Sequence, residues 1–398
     1  MLASTRAIGH NQPMSRVLYY PSPVSKLAMW RELFAAAEVP ARRGPYMFRL
    51  PFAAPADHVT AEALIAAREG RNGRPETDRA RTVARLARFV HRGRRICEAA
   101  RERGVTHLAI WNGSGGRRRV LVDAAQRAGL QLLYAELAAF PGKITLDPVG
   151  VNASGALPRD PDYFRAWGAA NSLQTDLDSL RDRLVARAGK PRDSLGATDL
   201  DRPYLFAPLQ VRGDTQVTIQ GGWVKGMPDF IASLAAAAKT LPAGWKIVFR
   251  EHPSCRIGNA EQLKALVGDR VAVDNATDTF ELVRRSRGVV TLNSSVGLQS
   301  LLFDVPVLVL GQANYGMPGL VELAHTRQAL AEQVARVGDW HFDAALRRAF
   351  LDFFIGEYLV NWRITDAPMG ARTGAQVRTR LAGRITDWEA TAREPANG

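Results

Sequence analysis

The chain has 398 residues, a length typical of two domains that each bury their own core. Hydrophobic residues make up 46% and charged residues 23% of the chain, which excludes a disordered protein. No stretch reaches the ~18 consecutive apolar residues of a membrane-spanning helix, and the net charge of +14 raises the question of a nucleic-acid or membrane partner.

The positive charge is concentrated in one segment. Residues 66–130 contain 16 Arg, no Lys and 6 acidic residues, which accounts for +10 of the +14. Between Arg68 and Arg103 this segment offers only Phe89 as an aromatic residue, so it lacks the interleaved aromatic residues of a nucleic-acid-binding surface. The ratio of 46 Arg to 7 Lys is also typical of a GC-rich genome. We therefore expect no nucleic-acid partner.

Cysteine usage and the N-terminal residues bear on the compartment. Cys97 and Cys255 alone cannot build a disulfide framework, which favours a reducing environment. The first residues lack an apolar stretch followed by a small-residue cleavage site, so no secretory signal is predicted. Outside residue 252 the histidines show no metal-ligand spacing, and we expect no metal site. These features predict a cytoplasmic protein.

Apolar runs alternate with helical stretches in the first half of the chain. Strands are predicted at residues 16–20, 107–111 and 130–134, with helices at 77–104 and 118–128. A strand, a helix and a strand in this order form a βαβ unit with a parallel sheet. The first half is therefore predicted to be a Rossmann-like domain.

The second half repeats this alternation after a polar, turn-rich linker at residues 191–203. Predicted strands lie at 204–208, 246–249, 271–273, 288–292 and 307–310, and predicted helices at 227–240, 259–267, 279–286 and 296–303. The predicted fold is α/β, with two doubly wound Rossmann-like domains (1–200 and 201–345) facing a cleft and C-terminal helices at 346–398. In such sheets ligands bind at the carboxyl ends of the strands.

Two strand ends of the second half carry candidate phosphate-binding residues. Asn293, Ser294, Ser295 and Gly297 lie at a strand-to-helix turn, where backbone N–H groups and hydroxyls can hold a phosphate, although Asn and Ser also favour plain helix N-caps. The second group follows the strand at 246–249, where it is suited to a nucleotide's phosphate and ribose but equally to a surface loop. It consists of Arg250, Glu251, His252 and Pro253.

Two carboxylates are predicted to face each other across the cleft. Asp214 lies in a Gly-containing loop that starts near Gln210, and Glu136 ends a strand of the first half. A carboxylate from each side suits glycosyl transfer, with one as nucleophile and the other as acid or base. Asp214 is also a typical Asx-turn residue, and a chain with 39 acidic residues offers many such pairs.

A Gly-rich loop follows the strand at 107–111. It contains Asn112, Ser114 and Arg117, and it lacks the glycine spacing of a dinucleotide-binding turn. The sequence is equally consistent with two interpretations. Either this loop binds a phosphate or an acceptor, or it is a plain flexible loop.

Five segments together resemble the capsule polysaccharide biosynthesis and export family, whose members include retaining β-Kdo transferases. The segments occur in the family's order between about residues 109 and 320: WNGSGGRRR, YAELAAFPGKITLDPVGVN, LFAPLQVRGDTQV, VFREHP and GVVTLNSSVGLQSLLFDVPVLVLGQANYGMPGL. The resemblance implies a GT-B-like glycosyltransferase that uses CMP-Kdo as donor substrate, needs no cofactor and acts on a glycolipid or oligosaccharide acceptor.

The resemblance also implies residue roles. Asp214 would attack the anomeric carbon and Glu136 would serve as acid/base, with net retention of configuration. His252-Pro253 and Ser294-Ser295 would hold the CMP phosphate and ribose. Family members often carry Lys two residues before this His, whereas this chain has Arg250, which keeps the charge but changes the geometry.

Four further residues are candidates for contacting the donor and the acceptor: Gln210, Asn112, Ser114 and Arg117. Of these, Ser114 and Arg117 are candidates for binding the carboxylate of the sugar. Two other interpretations remain open: a GT-B-like transferase with a different nucleotide sugar, and a non-catalytic subunit of capsule assembly or export. The Arg-rich helix is explained equally by peripheral contact with anionic lipids of the inner membrane and by a solvated face. Contacts with capsule assembly proteins stay open.

Overall fold

The computed structural model describes residues 16–20, 23–45, 56–72, 75–186, 193–195, 200–255, 258–362 and 370–386. Its strands are β1 Val17–Tyr19, β2 Ala41–Arg43, β3 His107–Trp111, β4 Gln131–Leu137, β5 Lys143–Asp147, β6 Tyr204–Pro208, β7 Lys246–Arg250, β8 Val271–Val273, β9 Gly288–Thr291, β10 Val307–Val309, β11 Glu322–Leu323 and β12 Leu359–Asn361.

The helices lie between these strands, and a π-helical turn, Phe353–Tyr358, precedes β12. They are α1 Leu27–Ala36, α2 His58–Asn72, α3 Arg79–Glu102, α4 Gly116–Arg127, α5 Pro161–Ala170, α6 Leu177–Asp182, α7 Thr215–Thr218, α8 Met227–Ala237, α9 Ala260–Lys264, α10 Thr279–Arg285, α11 Ser295–Ser300, α12 Arg327–Ala335, α13 Ala344–Asp352 and α14 Ala371–Leu381.

The strands form two sheets. The first has the order β12-β5-β4-β3-β1-β2, and the second has the order β11-β10-β9-β6-β7-β8. All pairings of the second sheet are parallel, while in the first sheet β5 is antiparallel to both β4 and β12. The prediction of an α/β protein with two doubly wound domains is confirmed.

Helix α3 shows why the predicted periodicity becomes a packed helix. Val83, Leu86, Val90 and Cys97 are buried, and they recur at the spacing that places side chains on one face. Most of its arginines lie outside that face, so burial of the apolar residues orients the charged side toward solvent. The parallel strands β3, β6 and β9 are buried along their whole length, as expected when helices cover both faces of a sheet.

The C-terminal segment returns to the first sheet. Residues 346–398 were predicted to be helices, but β12 adds a strand to the edge formed by β5. Helix α14 then packs against α1, and the guanidinium of buried Arg380 donates to the carbonyl oxygens of Leu146, Glu357 and Tyr358. Through these contacts the C-terminal segment packs against the first domain. The domain boundaries at 200 and 345 stay predictions.

Candidate active site

The main cavity of the candidate site has a volume of about 400 Å³ and lies between the two sheets. Its walls come from the carboxyl ends of strands in the second sheet and from the turn between β4 and β5. The lining residues central to the argument are Phe140, Lys143, Arg250, His252, Ser294 and Ser295. Loops from both domains therefore meet at one cleft, as the doubly wound topology predicts.

Arg250 ends strand β7 and anchors the following loop. Its guanidinium donates to the carbonyl oxygens of Asp274, at 3.3 Å, and Thr277. Burial lowers the pKa of Arg250, opposed by the negative charges of Asp274 and Asp278. The Arg250 side chain therefore lines the cavity, and part of its guanidinium group is already hydrogen-bonded to the backbone that forms the cavity wall.

His252 and its neighbours form the rest of this wall. The Nδ1 atom of His252 accepts a hydrogen bond from the Ser254 backbone N–H at 3.1 Å. Glu251 is buried, and its carboxylate accepts from the Asn259 N–H at 2.8 Å. His252 and Pro253 both line the main cavity, so the structure brings the predicted Arg-Glu-His-Pro group to the cleft.

The second predicted phosphate-binding group divides into two parts. Ser294 caps α11 by accepting from the Val296 N–H at 3.1 Å, and Ser294 and the exposed Ser295 line the main cavity. Gly297 does not line it. A Cβ at Gly297 would lie 2.5 Å from the Tyr315 hydroxyl and 2.7 Å from Thr291 Cγ2, so this position needs glycine for packing.

Asn293 and Gln210 form a buried hydrogen-bond network instead of lining the cavity. Asn293 Oδ1 accepts from Gln210 Nε2 at 3.0 Å. The Asn293 amide donates to the carbonyl oxygens of Gln216, at 2.9 Å, and of Gln220 and Gln312, at 3.1 Å each. These bonds hold α7 against the ends of β9 and β10. Asn293 and Gln210 therefore position the loop that carries Asp214.

Asp214 is the N-cap of α7. Its Oδ1 atom accepts from the Gln216 N–H at 2.9 Å, and the residue is partly exposed. Leu209, earlier on the same loop, lines the main cavity, whereas Thr215 lines a second cavity of about 130 Å³. Asp214 thus lies on a segment that runs from one cavity to the other.

Glu136 occupies the matching place in the first domain, at the end of β4. Its carboxylate accepts from Asn112 Nδ2 at 2.6 Å and from the Leu137 N–H at 2.9 Å. Leu137 lines the main cavity and Asn112 lines the second. The two predicted carboxylates therefore lie on opposite domains, each on a segment that borders both cavities.

The Gly-rich loop is shaped by Asn112. This residue has a positive φ of 60°, and its Oδ1 atom accepts from the Ser114 N–H at 3.0 Å. A Cβ on Gly115 would lie 3.8 Å from Thr215 Cγ2, so the loop contacts α7 of the other domain directly. Ser114 lines the second cavity, close to the segment that carries Asp214.

The LDPVGVN stretch at residues 146–152 lines the second cavity from another side. Asp147 is fully buried and accepts from the N–H groups of Val149, Gly150 and Ala156 at 2.7–3.0 Å and from the Tyr358 hydroxyl at 2.8 Å. The loop so formed carries Ser154, whose hydroxyl accepts from Gln220 Nε2 at 3.0 Å across the domain interface.

The sequence pointed to Arg117 within a run of three arginines, whereas in the structure its neighbour Arg118 is the one that interacts electrostatically with Glu136. Arg117 is exposed, with its guanidinium carbon 5.7 Å from the centroid of the Phe89 ring, and lines a separate cavity of about 230 Å³. Arg118 is half-buried; burial lowers its pKa, and the negative charge of Glu136 opposes that shift. The rotation of about 100° per residue along α4 separates the two side chains.

Lys143 is a second residue that sequence reasoning missed. It follows the Phe-Pro-Gly turn, lines the main cavity and donates to the Ile355 carbonyl at 2.8 Å and to Asn361 Oδ1 at 2.7 Å. Burial lowers the pKa of Lys143 to about 8. Since Ile355 and Asn361 belong to the returning C-terminal segment, a sequence pattern around residue 143 could not indicate these partners.

Two further features concern metals and membranes. Within the residues that the structure describes, no three side chains of His, Cys, Asp or Glu gather where they could hold a metal ion. Across those same ranges, no helix combines the length and apolar character needed to cross a bilayer.

The fold and the cleft define a class of protein. Two doubly wound domains that face each other across a cleft form a GT-B-like, glycosyltransferase-like fold. A KpsC structure from Thermosulfurimonas dismutans, described as a beta Kdo 2,7 transferase, is similar to this chain with a TM-score of 0.54. It is 14% identical, and the match covers 92% of this chain and 100% of that one. At this identity the similarity shows the fold.

The sequence comparisons show similarity to capsule polysaccharide proteins over part of the chain. Residues 187–355 match the family model described as capsule polysaccharide biosynthesis protein. Protein FixF of Sinorhizobium fredii is 31% identical over 285 residues, covering 70% of this chain and 64% of FixF. The capsule polysaccharide export protein KpsS of Escherichia coli is 24% identical over 244 residues, covering 47% of this chain and 62% of KpsS. The chain therefore spans less than two thirds of the length of these two relatives.

Proposed function

We propose that this protein is a glycosyltransferase of capsular polysaccharide biosynthesis that transfers Kdo from CMP-Kdo, with retention, to a lipid or sugar acceptor. One observation carries the proposal: Asp214 and Glu136 lie on opposite domains, and each is on a segment whose other residues line both the main cavity and the second cavity. A donor in the main cavity and an acceptor in the second would then meet between the two carboxylates.

The proposed reaction is a double displacement. The Asp214 carboxylate attacks the anomeric carbon as the bond to CMP breaks, and a glycosyl ester forms while CMP leaves with the bonding electron pair. Glu136 then takes the proton of the acceptor hydroxyl, whose oxygen attacks the same carbon and releases Asp214 as a carboxylate. Two inversions give net retention.

The remaining cavity residues would bind the donor. Arg250 and His252 lie on one wall and Ser294 and Ser295 on another, so charged and hydroxyl groups surround the place where the CMP phosphate and ribose would lie. The half-buried Arg118 contributes a positive charge that interacts electrostatically with Glu136. The Kdo carboxylate would need such a cation, and Arg118 replaces Arg117 as its candidate partner.

Substitution Asp214→Asn tests the nucleophile. Asparagine is as good an N-cap as aspartate, so α7 should stay folded while the nucleophilic oxygen is lost. We expect transfer from CMP-Kdo to fall at least about 10³-fold, and the mass of a Kdo adduct to disappear from the protein. The matched control is Asp160→Asn, which alters the exposed N-cap of α5 and should leave transfer unchanged.

Nucleotide specificity tests the donor separately. A ligand that binds only the folded protein raises its melting temperature, so CMP should stabilise the protein whereas UDP and GDP should not. Stabilisation by UDP or GDP alone would contradict CMP-Kdo and leave a transferase with another donor. No stabilisation by any of the three, together with full function of the Asp214→Asn variant, would contradict catalysis and indicate a non-catalytic subunit.

A further inference from the structure

A second strongly charged concave surface lies on the first domain, between the edge strand β2 and helix α3. It has a volume of about 670 Å³ and shares no lining residue with either cavity of the candidate active site. We call it the arginine groove. Its lining residues are Leu18, Arg42, Arg43, Pro45, Arg88, His91, Arg92, Arg95, Ile96, Ala99, Ala100 and Arg103.

Both walls of the arginine groove are cationic. Arg42 and Arg43 project from the exposed strand β2, and Arg88, Arg92 and Arg95 recur on α3 at the spacing of one helix face. Among the lining residues that the structure describes there is no Asp or Glu. A ligand that enters between these walls would meet positive charge on both sides.

The ion pairs of α3 lie elsewhere on the helix. Arg79 pairs with Glu62 at 2.6 Å, Arg94 pairs with Asp57 at 2.5 Å, and Arg81 lies 3.8 Å from Asp78. Within the described parts of the chain, by contrast, no acidic side chain forms an ion pair with Arg92 or Arg95. These guanidinium groups are therefore available for an external anion.

Protection of the sheet edge does not explain this arrangement. Charged residues on an exposed strand such as β2 oppose edge-to-edge pairing, which accounts for Arg42 and Arg43. Protection of the sheet edge does not account for Arg88, Arg92 and Arg95 on α3, because a helix has no unpaired backbone edge. The convergence of both sets on one groove points to a ligand.

The groove combines charged walls with an apolar floor. Leu18, Ile96, Ala99 and Ala100 form that floor, and none of the described residues that line the groove is Phe, Tyr or Trp. Guanidinium groups bind carboxylates in bidentate geometry, and the C–H faces of sugar rings can pack on an apolar floor. Single-stranded nucleic acid would instead call for aromatic stacking platforms.

The length of the groove indicates a chain in preference to a single sugar. From Arg88 to Arg103 the α3 segment extends about 22 Å at 1.5 Å per residue. A bilayer surface is a poorer match, because the cationic side chains converge on a concavity and, among the described lining residues, no large apolar side chain is exposed for insertion.

We infer that the arginine groove binds a linear polysaccharide of acidic, carboxylate-bearing sugars, as a site separate from the proposed transfer cleft. Such a site would hold the polymer on the enzyme by contacts outside the reacting sugar. The inference goes beyond the proposed function, because it requires neither Asp214 nor any particular donor.

The test measures binding of a fluorescent oligogalacturonate by anisotropy to the full chain and to two double variants. Arg92→Gln/Arg95→Gln removes two charges from the groove, and Arg81→Gln/Arg101→Gln removes two from the same helix outside it. We expect the dissociation constant to rise at least about tenfold in the groove variant and less than about twofold in the control.

Other outcomes would overturn the inference. Equal weakening in both double variants would show that binding follows net charge and not the groove. Groove-dependent binding of phosphatidylglycerol vesicles without binding of the oligogalacturonate would identify a membrane surface. The Asp214→Asn variant should bind the oligogalacturonate as the wild type does; loss of binding there would place the probe in the transfer cleft. A failure of catalysis would leave these binding results unchanged.

Discussion

Lys143 combines a cationic group with a buried position at the wall of the main cavity. Its ammonium donates to Ile355 and Asn361 of the C-terminal segment, and burial, together with the positive charges of Arg372 and Arg183, lowers its pKa to about 8. Glu357 opposes this shift. The positive charge that Lys143 gives to the cavity wall therefore depends on pH.

The lowered pKa of Lys143 predicts a pH dependence of stability. In the unfolded chain its pKa is near 10.5, so between about pH 8 and 10 the unfolded chain binds more protons than the folded protein. The contribution of Lys143 to the free energy of unfolding thus rises with pH in this window. Relative to Lys143→Met, the wild type should gain about 1–2 kcal/mol over this range in urea unfolding.

The exposed Lys239 provides the matched control for this experiment. The Lys239→Met variant should follow the wild type across the same pH range, because this side chain is exposed and does not line the main cavity. A constant difference between the wild type and Lys143→Met at all pH values would contradict the assigned pKa.

At the scale of elements, helices α1 and α14 approach each other closely. Gly374 of α14 is buried against the end of α1, where a Cβ would overlap the carbonyl oxygen of Ala36. Backbone atoms cannot move aside as a flexible side chain can. The contact therefore depends on the absence of a side chain at residue 374.

Substitution Gly374→Ala should destabilise the protein. Alanine gains about 1 kcal/mol in helix propensity, but the overlap with α1 forces the two helices apart, and we expect a net loss of about 1–3 kcal/mol in the free energy of unfolding. The control is Gly338→Ala, an exposed position with no atom within 4 Å of the added Cβ, which should change stability by less than about 0.5 kcal/mol. Equal stability of both variants in denaturant unfolding would contradict the close contact.

At the scale of the whole molecule, the chain joins its two domains more than once. An aromatic cluster packs α5 against α13 and the π-helical turn, with ring centroids of Phe164 5.1 Å from Phe350 and 5.4 Å from Phe353. Beyond this cluster, β12 and α14 complete the first domain. The cleft therefore lies between domains whose cores are connected by packed side chains.

Truncation after residue 370 tests the dependence of the first domain on α14. Loss of the buried side chains of Val377 and Leu381 alone should remove about 3–6 kcal/mol. Hydrogen exchange should show reduced protection of amides in β1 and β3, while amides in β6 and β9 stay protected. Unchanged protection of β1 and β3 would show that α14 is dispensable.

The candidate site was largely predictable because it is built from strand ends. Apolar runs bounded by turn residues predicted β3, β6, β7 and β9 to within one or two residues, and parallel strands bring their carboxyl ends to one edge. Asp214, His252 and the serines at 294 and 295 follow such strands, Glu136 lies at the end of β4, and the roles of these residues stay predictions. Arg118 and Lys143 were missed because helix rotation and a contact more than 200 residues away decide their surroundings.

The sequence by itself determined the α/β class, the alternation of strands and helices, and the similarity of residues 187–355 to the capsule polysaccharide biosynthesis family model. These properties follow from local hydrophobic periodicity and from short segments whose residues are adjacent in the chain. Only the tertiary structure decided the antiparallel β5, the return of β12 and α14 to the first sheet, and the convergence of β2 and α3 on the arginine groove. These features depend on burial and strand pairing between segments that are distant in the chain. The residues around a short strand or a single side chain contain no pattern that indicates such distant partners.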